Sequence, residues 1–328
     1  MVNGFDIVFF GHMAIDTVIY LEKGEKNIQK ISAGGAVTFG SFAAKTCNPS
    51  LRVGIGSKVG RDLPDHFLEP FKEKGIDLRG IKLDEERPST RFELLYDGPK
   101  RTLSCPNCCS NLVLEDQPKV FFSSKIFHLG PLCREITPAF IEGLGAAGIN
   151  QKHVGIDLQG FIRDINDDGS ISFINSKDGF KILDLLHDTF GDKLIIKADD
   201  VESQSISNIE DPLENMEYFM DQFNDATILI TSGRNGSLLG CGNNGKKVER
   251  IPAFKPEAIV DETGAGDTFL AAFLAILLEK DSTFKATREA AYFASSASSF
   301  LVEGKGIKGL QSKNIILERV NNGVYFTK

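Results

Sequence analysis

Near the C-terminal end of this 328-residue chain, seven residues combine a permissive backbone with carboxylates: Asp261-Glu262-Thr263-Gly264-Ala265-Gly266-Asp267. A nearly all-apolar stretch follows at once, Thr268-Phe269-Leu270-Ala271-Ala272-Phe273-Leu274, and reads as a helix buried on all sides. Glycines let the backbone approach a ligand closely and turn several N–H groups outward. The helix dipole adds partial positive charge at the same point. The result is an anion cradle with a carboxylate beside it, and the chemistry that suits it is phosphoryl transfer. Charge on the moving group spreads over three oxygens, which the amides of Ala265, Gly266 and Asp267 can stabilise while Asp267 accepts the proton of an attacking hydroxyl. With an ordinary pKa of about 3.9, lowered further by a helix N-terminus, Asp267 is expected to be ionised at neutral pH. Magnesium is expected to offset repulsion between that carboxylate and a triphosphate. The competing reading makes Asp267 a helix-capping side chain. The full Asp-x-Thr-Gly-Ala-Gly-Asp string before a buried helix favours the chemical one.

Elements elsewhere must position this loop. Short apolar runs at Ile7–Phe10, Arg52–Ile55, Lys125–Leu129, His153–Ile156, Leu194–Ile196 and Thr227–Ile230 read as buried strands. Helical periodicity runs through Ala36–Lys45, Pro64–Lys74, Pro138–Ala147, Phe180–Thr189 and Met216–Phe223. Such alternation predicts an α/β protein with three α/β/α layers and a mainly parallel central sheet. Two segments break the rhythm. Ala14–Ser32, with a polar turn at Glu22-Lys23-Gly24, and Ser89–Ser104, with a turn at Asp97-Gly98, read as hairpins outside the parallel sheet. Together they predict a small inserted β lid, residues 14–33 and 88–105, over a crevice in a large domain made of residues 1–13, 34–87 and 106–328. A flap over a ligand is its natural role.

Composition narrows the function classes. A net charge of −8 with acids and bases interspersed argues against a nucleic-acid groove, which wants a clustered basic face. Met1 to Asp6 lacks the basic and apolar segments of a secretory signal, and the longest apolar run, Phe269–Leu278, is about half a membrane span. A cytoplasmic protein with no membrane partner is expected. Of six cysteines, only Cys105, Cys108 and Cys109 are clustered. No second ligand pair completes a zinc site, so reduced thiols are the preferred reading.

The Asp261–Asp267 string before its helix is similar to the C-terminal signature of the ribokinase-like (PfkB) carbohydrate kinases, and further segments extend the resemblance over essentially the whole chain. Gly34-Gly35, after a hairpin and before Ala36, resembles that family's N-terminal signature, which implies that the acceptor packs against backbone there. Asp16 matches the aspartate that binds acceptor hydroxyls. Gly56-Ser57-Lys58-Val59-Gly60-Arg61-Asp62 resembles a further family stretch. Thr231-Ser232-Gly233-Arg234-Asn235-Gly236 resembles a turn that contacts nucleotide phosphates and ribose, which implicates Thr231, Gly233 and Gly236, with Thr263 of the glycine loop, in binding ATP. Asp199-Asp200-Val201-Glu202 stands where the family has Asn-x-x-Glu, which organises magnesium through water. Asp replaces Asn, and Asp199 and Glu202 become the candidate metal residues.

Asp157-Leu158-Gln159-Gly160-Phe161-Ile162-Arg163 is similar to the myo-inositol kinase branch of that family, and so is Ala198–Glu202. Myo-inositol is therefore the first acceptor to consider, with Asp16, Gln159 and Arg163 as partners for its hydroxyls. Arg163 has two competing roles, bracing the triphosphate or pairing on the surface with Asp164 or Asp167. With Trp absent and the aromatics mainly Phe, no stacking platform for a base is evident, which weighs weakly against a nucleoside acceptor. A kinase for another sugar or a nucleoside is the alternative of the same fold; a non-catalytic regulatory relative is the remoter one, against which the complete glycine loop argues. A dinucleotide-dependent oxidoreductase wants Gly-x-Gly-x-x-Gly after the first strand, where Gly11 stands alone. The sequence leaves a monovalent-cation requirement open. It allows a homodimer through the exposed strand edges of the lid.

Overall fold

Seven strands run parallel through the centre of the protein because their apolar runs need cover on both faces. The computed structural model describes residues 4–22, 25–97, 100–242, 246–280 and 283–326. Met1–Asn3 of the N-terminal stretch, Lys23 and Gly24 of the first hairpin turn and Gly98 of the second lie outside the described residues. The main sheet has nine strands, in the order Lys247–Ile251, Ser237–Cys241, Thr227–Thr231, Leu194–Asp199, His153–Asp157, Ile126–Leu129, Ile7–Phe10, Val53–Gly60 and Asp77–Asp84. The first two are antiparallel additions at one edge. Every residue of Ile7–Phe10 and Ile126–Leu129 is buried, as strands covered on both sides must be. Ile7 and Phe9 belong to one core, with helices Ala36–Cys47, Ala265–Leu277 and Phe284–Leu301; Val8 and Phe10 belong to the other, with Pro138–Ala146, Ser176–Phe190 and Pro212–Gln222. This is the three-layer α/β/α fold expected.

A separate four-stranded sheet is ordered Glu25–Gly34, Ala14–Glu22, Arg91–Asp97, Lys100–Asn107. Each outer pair is an antiparallel hairpin, and the two hairpins join through a parallel pairing that runs from Ile15–Arg91 to Tyr20–Tyr96. Asp62, just past the end of its main-sheet strand, accepts the Ser89 amide at 2.7 Å and so anchors the second hairpin.

Two expectations need correction, and one element was not expected. The helix read over Pro64–Lys74 is a 3-10 turn, Asp65–Phe67, followed by a short helix, Glu69–Glu73. Pro70 has no N–H to give and its ring crowds the carbonyl four residues back, so the helix restarts there. The strand read as Arg52–Ile55 runs over Val53–Gly60, into the Gly56–Asp62 segment. A hairpin of Arg163–Ile165 and Ile171–Phe173 was not foreseen. Among the described residues no helix is long and apolar enough to cross a membrane.

Candidate active site

A cavity of about 520 Å³ opens where the parallel strands end, between the main sheet and the small one. The crevice beyond the carboxyl ends of such strands is the usual ligand position in open α/β sheets. Asp157, Asp199 and Thr231 are each the last residue of their strands, and all three line it. The glycine loop closes the opposite wall. Asp261 holds that loop in shape, accepting the Thr263 amide at 3.0 Å and the Gly306 amide at 3.1 Å.

Gly264 is the N-cap of the helix Ala265–Leu277, at φ +81°, and a Cβ there would meet the Phe39 ring at 2.2 Å. Asp267 is the third helical residue and caps nothing, so the capping reading has no counterpart here. Of the three amides expected to hold an anion, Ala265 donates to the Glu262 carbonyl at 3.2 Å. That correction leaves the amides of Gly266 and Asp267, which have no partner among the described residues. The expected low pKa of Asp267 is also overturned. Burial pushes its carboxyl up to about 7, the charge of Asp157 adds to the rise, and Lys197 opposes it. Desolvation outweighs the helix dipole at this position.

Behind Asp267 lies a buried ion pair that sequence reasoning missed. Lys197 Nζ donates to Asp157 Oδ2 at 2.9 Å, with both side chains 5% exposed. The two residues are register partners on adjacent parallel strands. One sign was available: a lysine inside the apolar run Leu194-Ile195-Ile196-Lys197-Ala198 has no solvent to reach. Asp199 and Glu202 face this pair from the start of helix Asp200–Ser207, locked as a capping box. Asp199 Oδ1 accepts the Glu202 amide at 2.7 Å, and Glu202 Oε2 accepts the Asp199 amide at 2.8 Å. Burial raises both carboxyls, that of Glu202 to about 7. Asp199 lines the cavity and Glu202 sits behind it, 1% exposed. Among the described residues no three His, Cys, Asp or Glu side chains converge closely enough to hold a metal by themselves. Hard oxygen donors beside an anion cradle nevertheless fit magnesium, which keeps most of its waters and takes one or two carboxylates plus ligand phosphates.

At one end of the cavity stand Asp16, Gly35, Gln159 and Arg163. Asp16 is pushed up to about 7 by burial, with Lys30 opposing. Gly34 does not line the cavity; a Cβ there would fall 1.9 Å from Asp16 Oδ2, so its missing side chain makes room for that carboxyl rather than for a ligand. Arg163 is not in a surface pair. It is 7% exposed, lies over the Phe92 ring at 5.2 Å and donates to the Leu132 carbonyl at 3.3 Å, while Asp164 pairs with Arg134. Its Nε is buried and has no partner among the described residues. Phe39 and Phe92 also line this end, with Leu94, Leu103 and Leu132, so the expected lack of an aromatic platform does not hold.

At the other end, Thr231, Gly233, Gly236 and Thr263 line the cavity, as do Phe254, Ile259 and Val302. The turn is closed by the Gly236 amide donating to the Gly233 carbonyl at 3.1 Å. A polar turn, an anion cradle and an apolar slot in series suit a ligand with phosphates at one end and a flat apolar group at the other. The arrangement can bring a hydroxyl, a base and a phosphoryl group into one crevice.

Residues 5–313 match the family described as pfkB family carbohydrate kinase. A cytidine kinase of Thermococcus kodakarensis is 24% identical over 274 residues, covering 82% of this chain and 87% of that protein. The ribokinase of Giardia lamblia superposes with a TM-score of 0.76 at 18% identity, covering 98% of this chain and 99% of the other. A pyrophosphate-dependent kinase of the ribokinase family, solved with a pyrophosphate analogue and myo-inositol, superposes with a TM-score of 0.69 at 19% identity, covering 95% and 99%. At these identities the structural likeness speaks for the fold.

Proposed function

This chain belongs to the pfkB family of carbohydrate kinases, phosphotransferases with a hydroxyl acceptor on a sugar or nucleoside, and from that premise we propose that it phosphorylates a small polyol, myo-inositol first, with ATP as donor. The observation that carries the acceptor reading is the bracket around one end of the cavity. Asp16 and Asp267 both line the cavity there; the charge of Asp16 adds to the rise at Asp267, and Arg163 opposes the rise at both. A ligand that presents only hydroxyls needs such charged partners, together with Gln159, in a site otherwise lined by carbon.

In the reaction the acceptor hydroxyl lies against Asp267, which takes its proton as the new P–O bond forms. The free amides of Gly266 and Asp267, at the positive end of their helix, stabilise charge on the transferred group. Arg163, immobilised over Phe92, orients the acceptor. Magnesium, held through water by Asp199 and Glu202, would offset charge on the phosphates. The small sheet acts as a lid, its Phe92 and Leu94 excluding water from the acceptor.

The test is ADP release with ATP and magnesium against myo-inositol, ribose, fructose, adenosine and cytidine. Turnover on myo-inositol that disappears in Asp267→Asn supports acceptor and mechanism together. Unimpaired turnover in that variant sinks the role of Asp267, and turnover on ribose alone sinks the acceptor. A nucleoside is the second reading, favoured by Phe92, Leu94, Leu103 and Leu132 around the acceptor end and by the likeness to the cytidine kinase. Turnover on cytidine or adenosine alone would select it.

A further inference from the structure

One buried carboxylate takes no part in the reaction derived above. Glu135 is fully buried in the loop between the strand Ile126–Leu129 and the helix Pro138–Ala146. Backbone amides hold it. Oε1 accepts the His12 amide at 2.8 Å, Oε2 accepts the Cys133 amide at 2.8 Å, and the Leu132 amide is shared between them, 2.9 Å from each. The His12 imidazole lies 3.9 Å away; among the described residues no lysine or arginine pairs with it. Burying a charge without a full counter-ion is costly, and a loop that needed only to turn could do so with uncharged residues. The converging amides show that the carboxylate enforces one loop conformation.

That loop meets the acceptor end of the cavity. The Leu132 side chain clusters with Phe92 and lines the cavity, and the Leu132 carbonyl accepts Arg163 Nη1 at 3.3 Å. The Arg134 amide donates to the Gly160 carbonyl at 2.9 Å, and a Cβ on Gly160 would fall 1.7 Å from the Pro131 oxygen. The short helix Gln159–Ile162 therefore lies hard against the loop, and Arg163 follows that helix directly. Both the guanidinium and the backbone that carries it take their positions from residues 131–134. Held at Nη1 and over the Phe92 ring, the guanidinium keeps an Nε with no partner among the described residues, which suits a ligand hydroxyl.

The same carboxylate reaches the root of the small sheet through His12, which stands just before the strand Ala14–Glu22. His12 Nε2 donates to the carbonyl of Ser110, just past the strand Lys100–Asn107, at 3.0 Å. Its Nδ1 lies 2.8 Å from the hydroxyl of Thr90, the residue before the strand Arg91–Asp97. One set of hydrogen bonds thus joins three crossings into the small sheet to the loop that holds Arg163.

We propose that Glu135 is a positioning residue: it fixes the backbone of Leu132 against the root of the small sheet, and through the Leu132 carbonyl it sets where Arg163 meets the acceptor. The position needs a carboxylate because three amide donors face two oxygens, each of which accepts twice. Gln would turn an NH2 toward two of those contacts, donor against donor, and the loop must then shift, carrying the Leu132 carbonyl with it. A displacement of about 1 Å at a group that orients a substrate costs roughly 100-fold. The effect on turnover rests on the kinase reading; the placement of Arg163 does not.

The experiment compares the wild-type full chain with Glu135→Gln by two readouts. The first is ADP release on whichever acceptor named above the wild type phosphorylates. The acceptor KM should rise about 10- to 100-fold while the KM for ATP stays within about twofold. In an Arg163→Met background the same substitution should add less than about twofold, because both changes act through one guanidinium. Effects that multiply, or an ATP KM that rises as much as the acceptor KM, overturn the proposal. The second readout needs no turnover: the Nε–H resonance of Arg163 in nitrogen-15 NMR, identified by its loss in Arg163→Met. It should shift in Glu135→Gln while those of Arg79 and Arg288, bonded to Asp77 and Glu249, stay in place. An unmoved Arg163 resonance overturns the placement. If Glu135→Gln does not fold, Glu135→Asp, which keeps the charge but is one methylene short, should show both changes in the same direction. If the wild type releases no ADP with any acceptor, the kinase reading fails, and the resonance still decides whether Glu135 places Arg163.

Discussion

In the proposed reaction Asp267 takes a proton at neutral pH, and burial pushes its carboxyl up to about 7, between holding a proton and losing it. The pH dependence follows with a definite sign. The acid form has no basicity to offer, so turnover should rise with pH through about 7 and level off above it. An unperturbed carboxylate would put that limb near 4, roughly three units lower, so a pH–rate profile separates the two. Asp267→Asn should lower kcat by about 10²- to 10⁴-fold with little change in acceptor binding, measured by calorimetry. Asp16 and Glu202 are likewise raised to about 7. Each binds its proton more tightly when folded, so stability of the ligand-free protein should fall as pH rises from the ordinary carboxyl range through about 7, and melting temperatures across that window would read it. Lys197→Met leaves Asp157 buried without its cation and should cost about 3–5 kcal/mol in denaturant unfolding. Asp157→Leu added to it should restore much of the loss.

Elements place these residues, and they were unequally legible. The parallel strands announced themselves because strands covered on both faces are continuous apolar runs, and the glycine loop did because its backbone needs, its carboxylate and its buried helix are neighbours in sequence. The strand Asp77–Asp84 was passed over: it is an edge strand with half-buried charged residues and lacks that run. The Lys197–Asp157 pair was hidden because its partners are 40 residues apart and meet only through strand register. The role of Gly34 was misread for the same reason, since the Asp16 carboxyl that needs its space comes from the opposing strand. Gly34→Ala should therefore displace Asp16 and raise the acceptor KM while leaving the KM for ATP near its wild-type value. At helix Asp200–Ser207, Asp199→Ala removes an N-cap and should cost about 1 kcal/mol of stability. If Asp199 also holds magnesium through water, the same variant should need more magnesium for half-maximal turnover, whereas a purely structural cap would leave that concentration unmoved.

On the scale of the whole molecule, the small sheet exposes its outer strand. Most of Glu25–Gly34 faces solvent, with Ile28 58% and Ile31 49% exposed, an edge well suited to pairing with a second copy. Sedimentation should find a dimer that Ile28→Lys with Ile31→Lys converts to a monomer; a wild-type monomer at high concentration would remove the idea. The joining of the two hairpins has a further consequence, for the order in which the protein assembles. Each hairpin closes locally, but the parallel pairing of Ala14–Glu22 with Arg91–Asp97 joins segments far apart in the chain and must overcome a long loop's closure entropy first. The main-sheet strands Ile7–Phe10 and Val53–Gly60 bring those segments together, so the small sheet is complete only once they have paired. Contacts of such long range form late. Its amides should accordingly be the last to gain protection during refolding and the first to exchange in the native state, so that the surface proposed to exclude water from the substrate is also where the fold should come apart first.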